Sequence, residues 1–207
     1  MTRDNRTLTS SANHPSPLNM GHSQAAKAIT RQRILDIASQ RIREHGLSGT
    51  GLAEITREVG ITPGAFYRHF PSREAMLAEA IQRAGQSLDT WAAASPDAAS
   101  AVYNYLSVAH RDTPGIGCPL AALVHDTAHA DPATRDAYTI EVSRVLAFLE
   151  GLNETDGHAD ARAMALFQLS TCVGAMALSR AADDPALSQD LLDNVANGLV
   201  RLATPKR

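Results

Sequence analysis

Wherever this chain shows a hydrophobic period, the period is the helical one. Ile34, Ala38 and Ile42 recur four residues apart with Ile37 beside them, and Leu77, Ile81, Ala84, Leu88 and Trp91 form a second stripe. Tyr138, Val142, Val145, Leu149 and Leu152 form a third. Residues at such spacings share one face of an α-helix. No run alternates apolar and polar residues as a half-buried strand requires, and no segment repeats another. Composition agrees, since aromatic residues make up only 4% of the 207 while Ala and Leu abound. That bias favours helix over sheet. The expected fold class is all-α.

Glycine, proline and capping residues divide the chain into about nine helices. The first runs over about 24–45 and stops at Gly46. Thr50 caps a short helix to about Val59, and Gly60 breaks it. Thr62 caps the next, with Pro63 at its first turn, where a missing N–H costs nothing. That helix ends near Phe70 and Pro71. Ser72 opens a longer one to about Trp91, and Pro96 another to about His110. Residues 111–117 form a loop, and helices follow at about 119–130, 132–153, 158–182 and 185–203.

At 44% hydrophobic, the chain has the means for a packed core. No stretch is expected to reach the apolar length a membrane span needs, so no membrane partner is expected. Residues 1–22 are polar and lack the apolar region of a secretory signal, which marks them as a disordered arm. Cys118 and Cys172 make no disulfide framework and fit a reducing cytoplasm. The net charge of −3 hides an asymmetry. Residues 23–83 hold nine Lys or Arg against six Asp or Glu, whereas residues 84–207 hold eight against fifteen. A basic head on an acidic body fits a molecule that meets phosphate at one end.

The informative stretch runs from Gly46 to Leu77, GLSGTGLAEITREVGITPGAFYRHFPSREAML. It reads as a short helix, a tight turn at Gly60, and a second short helix. Gly60 stands where a helix-turn-helix needs positive φ. Ile55 and Val59 on the first helix can lock against Phe66 and Phe70 on the second. The free side of the second helix then offers Thr62, Pro63, Gly64, Tyr67, Arg68 and His69, little bulk first and donors after. A helix entering the major groove by its N-terminus needs that order. Thr50 and Arg73 stand at the starts of flanking helices, where free N–H groups favour phosphate.

This stretch resembles the N-terminal DNA-binding domain of the TetR family in Gly46, Thr50, Ile55-Thr56, Val59-Gly60 and Tyr67-Arg68-His69-Phe70, followed by Pro71 to Met76. Thr56 and Val59 depart from the family's usual alanines, and Arg73 stands where Lys is usual. The resemblance implies an arm at 1–22, a three-helix DNA-binding head at 23–71, and a helical ligand-binding and dimerisation body at 72–207. It implies operator contacts by Thr62, Pro63, Gly64, Tyr67, Arg68 and His69, with Thr50 and Arg73 clamping phosphate. It also implies a homodimer through the last two helices, 158–182 and 185–203. Their small residues (Ala161, Ala165, Gly174) and their stripe Leu187, Leu191, Val195, Leu199 and Leu202 fit a four-helix interface.

A second stretch, His110 to Asp126, resembles a segment of a subset of TetR-type regulators with Gly-Cys-Pro-Leu at a helix start. Cys118 stands at the N-cap position, where helix N–H groups lower a thiol's pKa. Two readings stay open: a reactive thiol that senses electrophiles, or a small buried residue in a structural turn. His125 and His129 have metal-binding spacing but no evident third ligand, so no metal and no cofactor are expected. A ligand pocket in the body draws on Trp91, Tyr103, Tyr105, Leu106 and Cys118, with Leu123, Tyr138, Phe148, Met164 and Phe167. The reading is a DNA-binding regulator, not an enzyme: a repressor released from a palindromic operator by a small-molecule inducer. The alternatives are a regulator that activates or binds DNA without ligand, or an enzyme built on Cys118 with His110 or His125.

Overall fold

A computed structural model describes residues 17–203, and within them every regular element is helical. α1 (Pro17–His45) is followed by α2 (Leu52–Val59), α3 (Pro63–Phe66) and the long α4 (Arg73–Ala93). The rest comprises α5 (Ala98–Tyr105), α6 (Val108–Asp112), a 3-10 turn at Pro114–Ile116, α7 (Pro119–Ala128), α8 (Pro132–Thr155), α9 (Ala161–Ala181) and α10 (Pro185–Ala203). The arm expected over 1–22 lies outside the described residues as far as residue 16, and from Pro17 the chain is already in α1.

Most helix starts are fixed by the side chains the sequence supplies. Thr62, Ser72, Asp97, Ser107, Asp131 and Asp160 each accept a hydrogen bond from an N–H one turn on, satisfying donors that have no partner inside the helix. Two of these caps correct the single helix expected over 96–110. Asp97 takes the Ser100 N–H at 2.6 Å and starts α5. Ser107 takes the His110 N–H at 3.3 Å and starts α6. The chain leaves the helix at Leu106 between them.

Two cores result. The head core gathers Ile34, Ala38 and Ile42 of α1, Ile55 and Val59 of α2, Phe66 and Phe70, and Met76, Ala80 and Ile81 of α4. The body core gathers Leu88, Val102, Tyr105, Leu149, Met176 and Leu192 with their neighbours. α4 runs through both, because its stripe Leu77, Ile81, Ala84 and Leu88 is buried along its length. The seam between the cores is closed: Leu123 of α7 and Ala137 of α8 belong to the head core, and Tyr138 packs against both.

One expectation fails here. α9 is long and apolar enough to cross a membrane by length and composition. α9 packs against both α8 and α10. Its buried face carries Leu169, Cys172 and Met176.

Candidate nucleic-acid interface and effector cleft

The head builds its exposed face from a turn that only glycine enters cheaply. Gly60 has φ 80° and ψ 34°, the left-handed conformation that ends α2, and its N–H bonds Thr56 O at 3.0 Å. Thr62 then caps α3 by accepting the Ala65 N–H at 3.2 Å. Phe66 and Phe70 stack at 5.4 Å between centroids, and the Arg31 guanidinium lies 4.5 Å over the Phe70 ring. The expected helix over 62–70 is in fact α3 continued by tighter bonds, Arg68 N–H to Ala65 O and His69 N–H to Phe66 O. Both aromatic rings must face inward within one turn, and the tightened turn achieves that.

The same packing turns Thr62, Pro63, Gly64, Tyr67 and Arg68 outward. Tyr67 is 57% exposed rather than core. A Cβ on Gly64 would meet nothing closer than 4.0 Å, so the surface there is low. His69 is half-buried with Nδ1 enclosed and unpartnered. Burial first, then the charges of Lys27, Arg68 and Arg31, lower its pKa, so the ring is neutral near pH 7. Lys27 on α1 and Arg57 on α2 are exposed and have no carboxylate partner among the described residues. Lys27 precedes the helix-turn-helix, and Arg57 lies on its first helix rather than on α3.

Two expected phosphate contacts are corrected. Thr50 is 0% exposed. Its hydroxyl bonds Gly46 O at 2.8 Å, and Gly51 rather than Thr50 is the N-cap of α2. Arg73 donates to the carbonyls of Leu47 and Thr50. Its guanidinium therefore ties the start of α4 to the α1–α2 loop, where free carbonyls attract a cation.

In the body, a cleft of about 880 Å³ opens between α1, α4 and the segment from α5 to Cys118. Trp91, Leu88, Tyr105 and Cys118 line it together with Arg43, Gln40 and Asn104. Trp91 meets Phe148 and Tyr105 edge-on, and its indole N–H bonds Ala101 O at 3.0 Å. Of the ten expected ligand residues the cleft brings together only Trp91, Tyr105 and Cys118. Leu106 is buried in the body core, where Tyr138 and Phe148 pack against it. The Tyr138 hydroxyl is spent on Leu120 O at 2.9 Å. Leu123 is corrected to the head core. Tyr103 and Phe167 are corrected to the surface, each 47% exposed, with the Tyr103 hydroxyl on Asn197. Arg43 and His110, which the sequence did not single out as ligand residues, line the cleft instead.

Cys118 does stand at the N-cap of α7, its sulfur accepting the Leu120 N–H at 3.3 Å. The expected fall in its pKa is reversed, because the residue is only 3% exposed and burial pushes the thiol up. His110 is no base for it. Its Nε2 accepts the Cys118 backbone N–H at 3.0 Å, and its Nδ1 bonds Tyr105 O at 2.7 Å. That arrangement fixes a neutral ring, and burial lowers its pKa to about 4. His125 lines a separate cavity beside the head, with Asp126 and Arg73. Both partners imagined for a cysteine enzyme are thus accounted for elsewhere. The Tyr105 hydroxyl pairs with the Cys118 thiol, and Nη1 of Arg180 is buried nearby without a hydrogen-bond partner.

Residues 34–80 match the model of the family described as bacterial regulatory proteins, tetR family. Over those residues the head is similar to tetR-type helix-turn-helix domains. Over 50 residues the chain is 42% identical to the HTH-type transcriptional regulator AcrR of Shigella flexneri, covering 24% of this chain and 23% of that protein. Over 98 residues it is 28% identical to the HTH-type transcriptional repressor DhaR of a Mycobacterium species, covering 45% of this chain and 50% of that one. The matched segments thus span half or less of these relatives. The fold match is longer. A TetR-family regulator from Cytophaga hutchinsonii superposes with a TM-score of 0.75 at 20% identity, over 88% of this chain and 98% of that one. The reduced form of Escherichia coli NemR superposes with 0.71 at 18%, over 83% and 95%. At those identities the likeness is one of fold.

Proposed function

We propose that this protein is a DNA-binding transcriptional regulator that acts as a homodimer and answers to a small molecule bound in its body. The observation that carries the reading is the exposed row Thr62, Pro63, Gly64, Tyr67 and Arg68 on a helix-turn-helix whose opposite side is buried. Low relief followed by a phenol and a guanidinium suits entry into the major groove, with Lys27 and Arg57 adding charge toward phosphate. The described relatives are repressors or regulators, and repression with release by an inducer is the form of the proposal.

A dimer face supports it. α9 and α10 expose Leu166, Phe167, Leu178, Leu187 and Leu202. Gly174 and Gly198 on the same helices have open space where a Cβ would stand. Apolar side chains beside low-relief glycines let two helix pairs approach closely, and a second copy of this chain is the proposed occupant.

The test is binding to duplexes from the DNA flanking the protein's own gene, at two salt concentrations. The proposal expects a sequence-specific complex that weakens steeply with salt. Arg68→Ala is expected to weaken it roughly tenfold or more, in line with about 1–3 kcal/mol for a base contact. Equal, weak binding to every duplex, unchanged in Arg68→Ala, would count against it.

A further inference from the structure

The cleft between α1, α4 and the Cys118 segment has a chemistry of its own. Its charged groups are Asp36, Arg43 and Arg83. Arg83 is matched, at 2.6 Å from Asp36. Arg43 is not: its Nε bonds Ser39 O and its Nη1 bonds Gly117 O, both at 2.9 Å, and no carboxylate lies within ion-pair distance among the described residues. Its neighbour Glu44 accepts from Gln40 beside Gly115 and acts on Arg43 through space without a direct ion pair. Nη2 of Arg43 therefore has no protein partner, and the guanidinium sits in a half-buried place where burial lowers its pKa to about 10. A half-desolvated cation with no direct ion pair is stabilised by an anion that reaches it.

Leu88 and the half-buried Trp91 supply apolar lining to the same cleft.

We propose that this cleft binds a small organic acid, its carboxylate on Arg43 and its hydrocarbon body against Leu88 and Trp91. The placement also carries a consequence for control, which rests on the DNA-binding reading above, although the binding itself does not. Arg43 belongs to α1, the first helix of the head, and it shares Gly117 O with Ser87 of α4. A carboxylate that draws the guanidinium toward itself competes with the bond from α1 to that loop. The head would then be released from the body at the point where the effector sits.

Trp91 is the only tryptophan in the chain and lines this cleft, so its fluorescence reports occupancy without DNA. The probe is 4-phenylbutyrate, compared with 4-phenylbutan-1-ol, which has the same body and no charge. The expected result is a saturable change with the acid, at least tenfold weaker with the alcohol. Arg43→Gln is expected to weaken the acid at least tenfold and leave the alcohol unaffected, with Arg43→Lys between wild type and Arg43→Gln. Far-UV circular dichroism of each variant checks that it is folded. The alcohol comparison needs no substitution at all. No saturable change with the acid, or equal binding of acid and alcohol, would overturn the proposal whatever the DNA measurements show.

Discussion

Gly60 and Gly85 are both required, for different physical reasons. At Gly60 a Cβ would meet nothing within 4 Å, but φ is +80°. Gly60→Val is expected to cost about 1–2 kcal/mol through backbone strain alone, and Gly60→Asn clearly less. At Gly85 the backbone is helical, but a Cβ would stand 2.1 Å from the buried Glu141 carboxylate. Gly85→Ala should therefore be destabilising, and Glu141→Gly should rescue it in a double mutant. Thermal unfolding of the four proteins checks both statements. Gly60 was legible in the sequence because a turn between two short helices demands it. Gly85 was not, since Glu141 comes from a helix far along the chain.

The cysteine shows the same division. Its N-cap position was legible from Gly-Cys-Pro, but the sign of its pKa shift depends on what buries it, and that comes from α5 and α9. Cys118 is expected to alkylate with iodoacetamide at neutral pH far more slowly in the native protein than in urea. Equally fast labelling in both would contradict the burial. His110 gives a pH dependence. Its folded pKa of about 4 lies below the ordinary 6.5, so between those values the unfolded chain binds more protons. Its contribution to stability is complete above about 6.5 and is lost as the pH falls toward 4. The loss is on the order of 3 kcal/mol, from 1.36 kcal/mol per unit. Urea unfolding at pH 7 and pH 4.5 should show a drop that shrinks in His110→Gln.

Between elements, the decisive contact is the latch from head to body. The Leu47 N–H donates to the Asp126 carboxylate of α7 at 2.6 Å, and Gly46, at φ +75°, leaves room for that carboxylate. Arg73 holds the Leu47 and Thr50 carbonyls from the other side. Asp126→Ala leaves a buried N–H unpaired and should cost about 1–3 kcal/mol, lowering Tm by roughly 2–4 °C per kcal/mol. Amide exchange over residues 46–50 should accelerate. Unchanged exchange there would show that the latch is not what holds the loop. The helices themselves were largely legible, because caps and periods are local. The splitting of 96–110 was less so, since Ser107 competes as a cap only once Leu106 finds its place in the core. The latch was invisible, because Leu47 and Asp126 stand 79 residues apart in the chain.

For the molecule as a whole, the basic head, the acidic body and the helix-turn-helix were all readable from order and charge. The effector residues were not, because a pocket is defined by what tertiary packing leaves empty. Tyr103 and Phe167 carry the right chemistry on the wrong side of their helices. The apolar face of α9 and α10 is expected to make the protein dimeric. Leu178→Glu with Leu202→Glu should shift it to monomer in sedimentation at micromolar concentration while leaving its helical content intact.

The central claim is that this head reads DNA as a symmetric pair. The most direct measurement is selection of duplexes from a random pool by the purified protein, followed by sequencing of what is retained. The account predicts an inverted repeat with half-sites about one helical turn apart, lost on Arg68→Ala and shortened to a half-site, weakly bound, in the monomeric variant. A retained pool with no shared sequence, or an enriched site without symmetry in a protein that sediments as a dimer, would contradict it.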